Sequence, residues 1–154
     1  MLFRSWGENV WVKIPVMTSN GDTTGPLIHL LAKDGIKVNV TAVFTLEQIR
    51  YVARALWAKT PAIISIFAGR IADTLVDPMP LFTSARHVAH AQTEILWASA
   101  REVYNVKQAE QAGADIITLS PALFAKLALK GKNLTDYSRE TVGEFVRDAK
   151  GIEL

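Results

Sequence analysis

The chain has 154 residues, 49% of them hydrophobic and 21% charged, which suits one globular domain and excludes a disordered or collagen-like polymer. Basic side chains number 17 and acidic ones 15, so the formal charge of +2 gives no support to nucleic-acid binding. Without Cys there is neither a disulfide framework nor a thiolate metal site, and no apolar run approaches the ~18 residues of a membrane span.

Met1 to Ser5 carries no basic, apolar, small-residue leader and runs straight into a strand-like segment. The expectation is a soluble, cytoplasmic chain that begins inside a larger fold. Val10 to Pro15 is the first strand candidate, followed by a helix over Leu27 to Asp34 that Gly35 closes. A second strand, Val38 to Val43, leads to a helix over Leu46 to Ala58. Thr45 and Gln48 give that helix a capping box, and Leu46, Ile49, Val52, Ala53 and Leu56 form its buried stripe. Ala62 to Phe67 is the third strand, and Leu81 to Gln92 the helix after Pro78 and Pro80. Ile95 to Ser99 is the fourth, Val106 to Ala112 a helix stopped by Gly113, and Asp115 to Leu119 the fifth strand. Ser120 and Pro121 then open a helix over Ala122 to Lys130, which Gly131 ends. A last amphipathic helix runs from Ser138 to about Lys150, with Val142, Phe145 and Val146 on its apolar side.

This alternation predicts an α/β fold with a parallel sheet and crossover helices. The strand interval fits a doubly wound sheet or a (β/α)8 barrel, and the absence of a glycine fingerprint disfavours the first. A barrel needs eight strands and ~200 or more residues, so five strands do not close one.

Polar residues fall at successive strand ends. In Val10-Trp11-Val12-Lys13-Ile14-Pro15, alternation puts Lys13 and Trp11 on one face. A parallel strand is covered on both faces, and an ammonium held away from water is costly. Such burial lowers a lysine's pKa towards the range where the free amine attacks a carbonyl. The ordinary alternative, and the commoner one for a single strand, is a lysine at a strand end reaching out to water. Asn39 and Thr41 share a face of the next strand, with Val38, Val40 and Ala42 opposite. They need hydrogen-bond partners, either a substrate hydroxyl and a catalytic water or other polar groups of the core. Ser65 and Phe67 share a face of the third strand, just before Gly69-Arg70, and the fourth ends Trp97-Ala98-Ser99-Ala100-Arg101. Arg70 and Arg101 thus stand past carboxyl ends of strands, where α/β folds place their sites. Two guanidinium forks and a serine hydroxyl suit a phosphate, while solvated surface arginines are the alternative.

Together Val12-Lys13-Ile14-Pro15, Val38-Asn39-Val40-Thr41, Ser65-Ile66-Phe67-Ala68-Gly69-Arg70-Ile71, Ala98-Ser99-Ala100-Arg101 and Ala112 to Pro121 resemble the transaldolase family, in order and with fitting spacing from about Asn9. The resemblance implies one domain over residues 1–154, the carboxyl-terminal portion of a (β/α)8 barrel holding about strands four to eight. It implies Lys13 as the Schiff-base lysine, and Asn39 and Thr41 as the pair that contacts substrate and places the catalytic water. Ser65 and Phe67 match substrate-side positions, and Arg70, Ser99 and Arg101 the group that holds the sugar phosphate. The activity implied is transfer of a dihydroxyacetone unit between sugar phosphates, as in the pentose phosphate pathway, without metal or organic cofactor and in a homo-oligomer. A fructose-6-phosphate-type aldolase is the enzymatic alternative. Phe67, where aldolase-type relatives often carry tyrosine, leans towards transfer.

The aspartate, asparagine-containing signature and glutamate that the family carries on earlier strands have no counterpart before Trp6. Lys13 is therefore expected to form an imine without its acid–base helpers, and an open five-stranded sheet to expose two edges. This gives the non-enzymatic alternative, an inactive fragment that at most binds phosphate. His87 and His90, three apart on a helix, lack an evident third metal ligand; His29 reads as a helix-face residue, and Trp11, Trp57 and Trp97 as core.

Overall fold

The computed structural model describes residues 7–150. The opening segment Met1 to Trp6, on which the expected lack of a leader rests, lies outside the described residues. Five short apolar runs pair in parallel as one sheet: β1 (Val12–Pro15), β2 (Val38–Val43), β3 (Ala62–Ile66), β4 (Thr93–Trp97) and β5 (Ile116–Ile117). Their spatial order is their chain order. A doubly wound sheet reverses its order at a switch point, whereas this one advances by one strand each time, as the wall of a (β/α)8 barrel does. The wall does not close on itself; β1 and β5 each have a single neighbour.

The helices are α1 (Gly25–Lys33), α2 (Leu46–Ala55), α3 (Ala68–Ala72), α4 (Met79–Val88), α5 (Asn105–Ala112), α6 (Pro121–Lys126) and α7 (Leu134–Ala149). Ile28 and Leu31 of α1, Ile49 and Val52 of α2, Phe82 and Ala85 of α4, and Ala109 and Ala112 of α5 are buried in one cluster. It also holds Val38, Val40, Val43, Ile64, Ile66, Ile95 and Trp97 of the strands. On the other face only a small patch forms, from Ile63, Leu96 and Ala98 with Trp11, Phe67 and Ile116 beside it. The hydrophobic energy therefore sits almost wholly on the helix side, leaving the opposite face for polar groups. No described helix is long and apolar enough to cross a membrane.

α2 opens as its sequence dictates: Gln48 N–H donates to Thr45 Oγ1 at 3.1 Å, and the Gln48 side-chain oxygen accepts from the Thr45 and Phe44 amides at 3.1 and 2.8 Å. Three amide donors are thereby satisfied. Thr45→Ala is expected to lower unfolding free energy by about 1 kcal/mol, read as a shifted urea midpoint with unchanged slope.

Several boundaries differ from expectation, each for a local reason. α2 stops at Ala55 because Leu56 turns extended, so Trp57 leaves the helix. It is 38% exposed with its ring edge-on to His29 at 6.0 Å, not in the core. The last helix begins at Leu134 rather than Ser138, because Asn133 Oδ1 accepts from the Thr135 and Asp136 amides at 2.9 and 3.1 Å. Neither α6 nor α7 buries a residue, and Phe145 is 65% exposed. The short α3 has no periodic signal in its five residues and escapes the sequence reading.

β2 carries a further departure. Its pairing with β3 shifts by one residue between Val40 and Val43, and Ala42 adopts φ +58. This bulge inserts one residue and resets alternation, so that Val43 rather than Ala42 joins Val38 and Val40 in the core. Left-handed backbone costs a non-glycine residue about 1–2 kcal/mol, and here it lies next to Thr41 at the carboxyl end of the strand.

Candidate active site

The polar face of the sheet forms a small cleft at the carboxyl ends of its strands. Lys13, Asn39, Thr41, Ser65, Phe67, Arg70 and Ser99 all line it, joined by Leu96, Ala98 and Thr118. Seven of the eight residues singled out by sequence therefore meet in one place. Register explains the first contacts: Lys13 lies beside Asn39, and Pro15 beside Thr41. Ser65, 2% exposed, donates from Oγ to Asn39 Oδ1 at 2.7 Å, which orients the amide across the strand pair. Thr41 Oγ1, beside the bulge, is buried with no hydrogen-bond partner. A buried hydroxyl of this kind costs free energy until an acceptor or donor reaches it.

The rim is built by a close approach. Phe67 follows β3 and stands at the N-cap of α3, with its ring 5.7 Å from that of Phe44; the Arg70 guanidinium lies 5.6 Å from the Phe67 ring. Arg70 forms no ion pair among the described residues. Ser99 holds φ +66 just past β4, and a Cβ on Gly69 would fall 1.7 Å from the Ser99 carbonyl oxygen. Only glycine allows α3 to sit against this loop. Gly69→Ala is expected to cost about 1–3 kcal/mol of unfolding free energy, read as a shifted urea midpoint.

Two expectations fail here. Lys13 is exposed rather than enclosed. β1 is an edge strand, and among the described residues nothing lies across from it to exclude water, so these residues do not supply the desolvation that the sequence argument invoked. Arg101 is also absent from the cleft. Its Nη2 bonds Asp73 Oδ2 at 2.5 Å, and the pair lies in a neighbouring hollow on the far side of Gly69. Asp73, at the C-cap of the unrecognised α3, carried no signal in sequence; Thr118, just past the short β5, had only its strand-end position to reveal it.

Among the described residues no three His, Cys, Asp or Glu side chains gather as metal ligands. His87 Nδ1 is bonded to the Thr83 carbonyl at 2.6 Å. A larger hollow on the outer surface, lined by His29, Arg50, Arg54 and Trp57, lies on the helix side, away from the strand ends. The smaller cleft is the better candidate because its polar groups converge.

Sequential βα units with polar groups gathered at the strands' carboxyl edge define the chain as part of the wall of a (β/α)8-type fold. The family model described as Transaldolase/Fructose-6-phosphate aldolase matches residues 1–153, and the chain belongs to that family. It is 37% identical over 125 residues to a protein named probable transaldolase from Streptococcus equi subsp. zooepidemicus, covering 79% of this chain and 55% of that one. It is also 37% identical over 129 residues to a probable transaldolase 2 from Listeria monocytogenes, covering 82% and 56% respectively. The chain thus spans about half the length of the curated relatives it matches.

Proposed function

We propose that this chain carries the imine-forming and phosphate-binding part of a transaldolase site. The observation that carries the reading is the convergence in one cleft of an amine, a polar pair, a buried unpartnered hydroxyl and an unpaired guanidinium. The Lys13 amine adds to the ketone carbon of a ketose phosphate, giving a carbinolamine, and loss of water gives the imine. Cleavage of the C3–C4 bond sends its electron pair into the protonated imine, and the C4 hydroxyl gives up its proton as the first aldehyde leaves. A dihydroxyacetone unit remains on Lys13 as an enamine. That enamine attacks the carbonyl of a second aldose phosphate, and water then frees Lys13 and the new ketose phosphate.

The other residues take supporting roles. Asn39, oriented by Ser65, faces the substrate hydroxyls, and Thr41 Oγ1 holds the water that adds and leaves at the imine carbon. Phe67 forms a wall of the cleft, while Arg70 and Ser99 hold the phosphate and Arg101 joins them once it leaves Asp73. None of the residues lining the cleft is Asp or Glu, so imine formation is better supported than carbon–carbon cleavage. On this reading the substrates are sugar phosphates of the pentose phosphate type, in a reducing cytosol that suits a chain without Cys.

Borohydride reduction in the presence of fructose 6-phosphate tests it. A mass increase mapped to Lys13 is expected, and an unlabelled chain would overturn the imine chemistry. The exposure of Lys13 favours one second reading, a fragment that binds phosphate and forms no imine. Phosphate binding without any borohydride label would select it. If an adduct forms, release of free dihydroxyacetone without an acceptor would mark aldol cleavage rather than transfer.

A further inference from the structure

We propose that Asp73 is a positioning residue that withholds Arg101 from the substrate cleft and yields it when a phosphate arrives. The proposal rests on the phosphate-binding reading above and adds a competing partner for one of its cations. The main chain at Arg101 is pinned: its amide donates to Asn105 Oδ1 at 2.7 Å, and the Glu102 amide to the same oxygen at 3.1 Å. Asn105 is itself buried and donates from Nδ2 to Gln108 Oε1 at 2.7 Å. Only the side chain of Arg101 is therefore free to move.

That side chain lies in the hollow beside the cleft. Its Cγ lies 3.1 Å from where a Cβ of Gly69 would stand, so the stem runs over the residue that directly precedes Arg70. Rotation about its outer bonds carries the guanidinium between Asp73 on one side and the rim held by Arg70 and Ser99 on the other. The pair with Asp73 is weak enough to exchange, because both side chains are 52% exposed and such pairs are worth little in water. A phosphate offers Arg101 more charge and a bidentate geometry beside a second guanidinium. An unphosphorylated sugar offers neither and leaves the latch closed, so Asp73 holds down the affinity for phosphorylated ligands alone.

Calorimetric titration of the 154-residue chain with inorganic phosphate, fructose 6-phosphate and fructose decides the matter. Asp73→Asn and Asp73→Ala are expected to tighten both phosphorylated or phosphate ligands by about two- to fivefold, the range of an exposed ion pair, with no gain for fructose. Asp73→Glu should restore the original affinity. In an Arg101→Gln background the Asp73→Asn change should do nothing, an outcome that a merely structural role for Asp73 does not produce. Unchanged or weakened phosphate binding in Asp73→Asn would overturn the latch, as would a gain that persists without Arg101. If Arg70→Gln and Arg101→Gln both leave phosphate affinity unaltered, the underlying phosphate reading fails with it. Dependence on both arginines but not on Asp73 removes the latch alone.

Discussion

Lys13→Met is expected to abolish the borohydride-trapped adduct and to lower any ketol transfer by at least about a thousandfold, the scale on which loss of a covalent nucleophile acts. Methionine keeps the unbranched stem and the strand register with Asn39 while removing the amine. Lys13 makes no ion pair among the described residues and is exposed, so unfolding free energy should change by no more than about 0.5 kcal/mol. Mass spectrometry after reduction and a urea melt of the same variant check both halves. A variant that still traps the sugar would place the imine on another amine and sink the proposed chemistry.

The largest stability effect is expected at Trp97. Its side chain is 1% exposed at the end of β4 and stacks on Phe82 with ring centroids 4.7 Å apart. Trp97→Ala deletes the biggest buried volume between β4 and α4 and should cost about 3–5 kcal/mol, a large fraction of the roughly 5–15 kcal/mol that holds a domain together. The indole N–H is buried and unpartnered, so Trp97→Phe removes an unsatisfied donor along with part of the volume. It should therefore cost well under half as much as the alanine change. Trp57→Ala, at an exposed turn, is expected to cost less than about 1 kcal/mol. Urea unfolding followed by far-ultraviolet circular dichroism ranks the three, and a Trp57 effect equal to that of Trp97 would contradict the burial pattern.

What was legible in sequence follows from the range of the forces involved. The strands announce themselves as short apolar runs, and the start of α2 as a capping box, because those signals are confined to neighbouring residues. The cleft was legible for the same reason, since alternation along β2 and β3 sends Asn39, Thr41 and Ser65 to one face. The bulge was not, because an alanine rather than a glycine takes the left-handed conformation at position 42. Nor was the start of α7, where Asn133 and Ser138 are both chemically fit to cap and the earlier residue does so. The exposure of Lys13 and the direction of Arg101 depend on what lies across space. One follows from the lack of a second neighbour for β1, the other from an aspartate on a different loop.

The strictly advancing strand order has a bearing on how the molecule opens. Every pairing, from Val12 with Val38 to Leu96 with Ile116, spans a single βα unit, so each closure carries a similar and modest entropic cost. Among the described residues no distant segment locks the ends in place, and units at the margins can fray while the middle survives. Amide exchange should then be slowest at Ile64 and Ile95 and fastest along α6 and α7, which bury nothing. The hydroxyl-bearing centre of the cleft belongs to the slow interior, whereas the amine at Lys13 rides on a margin free to breathe.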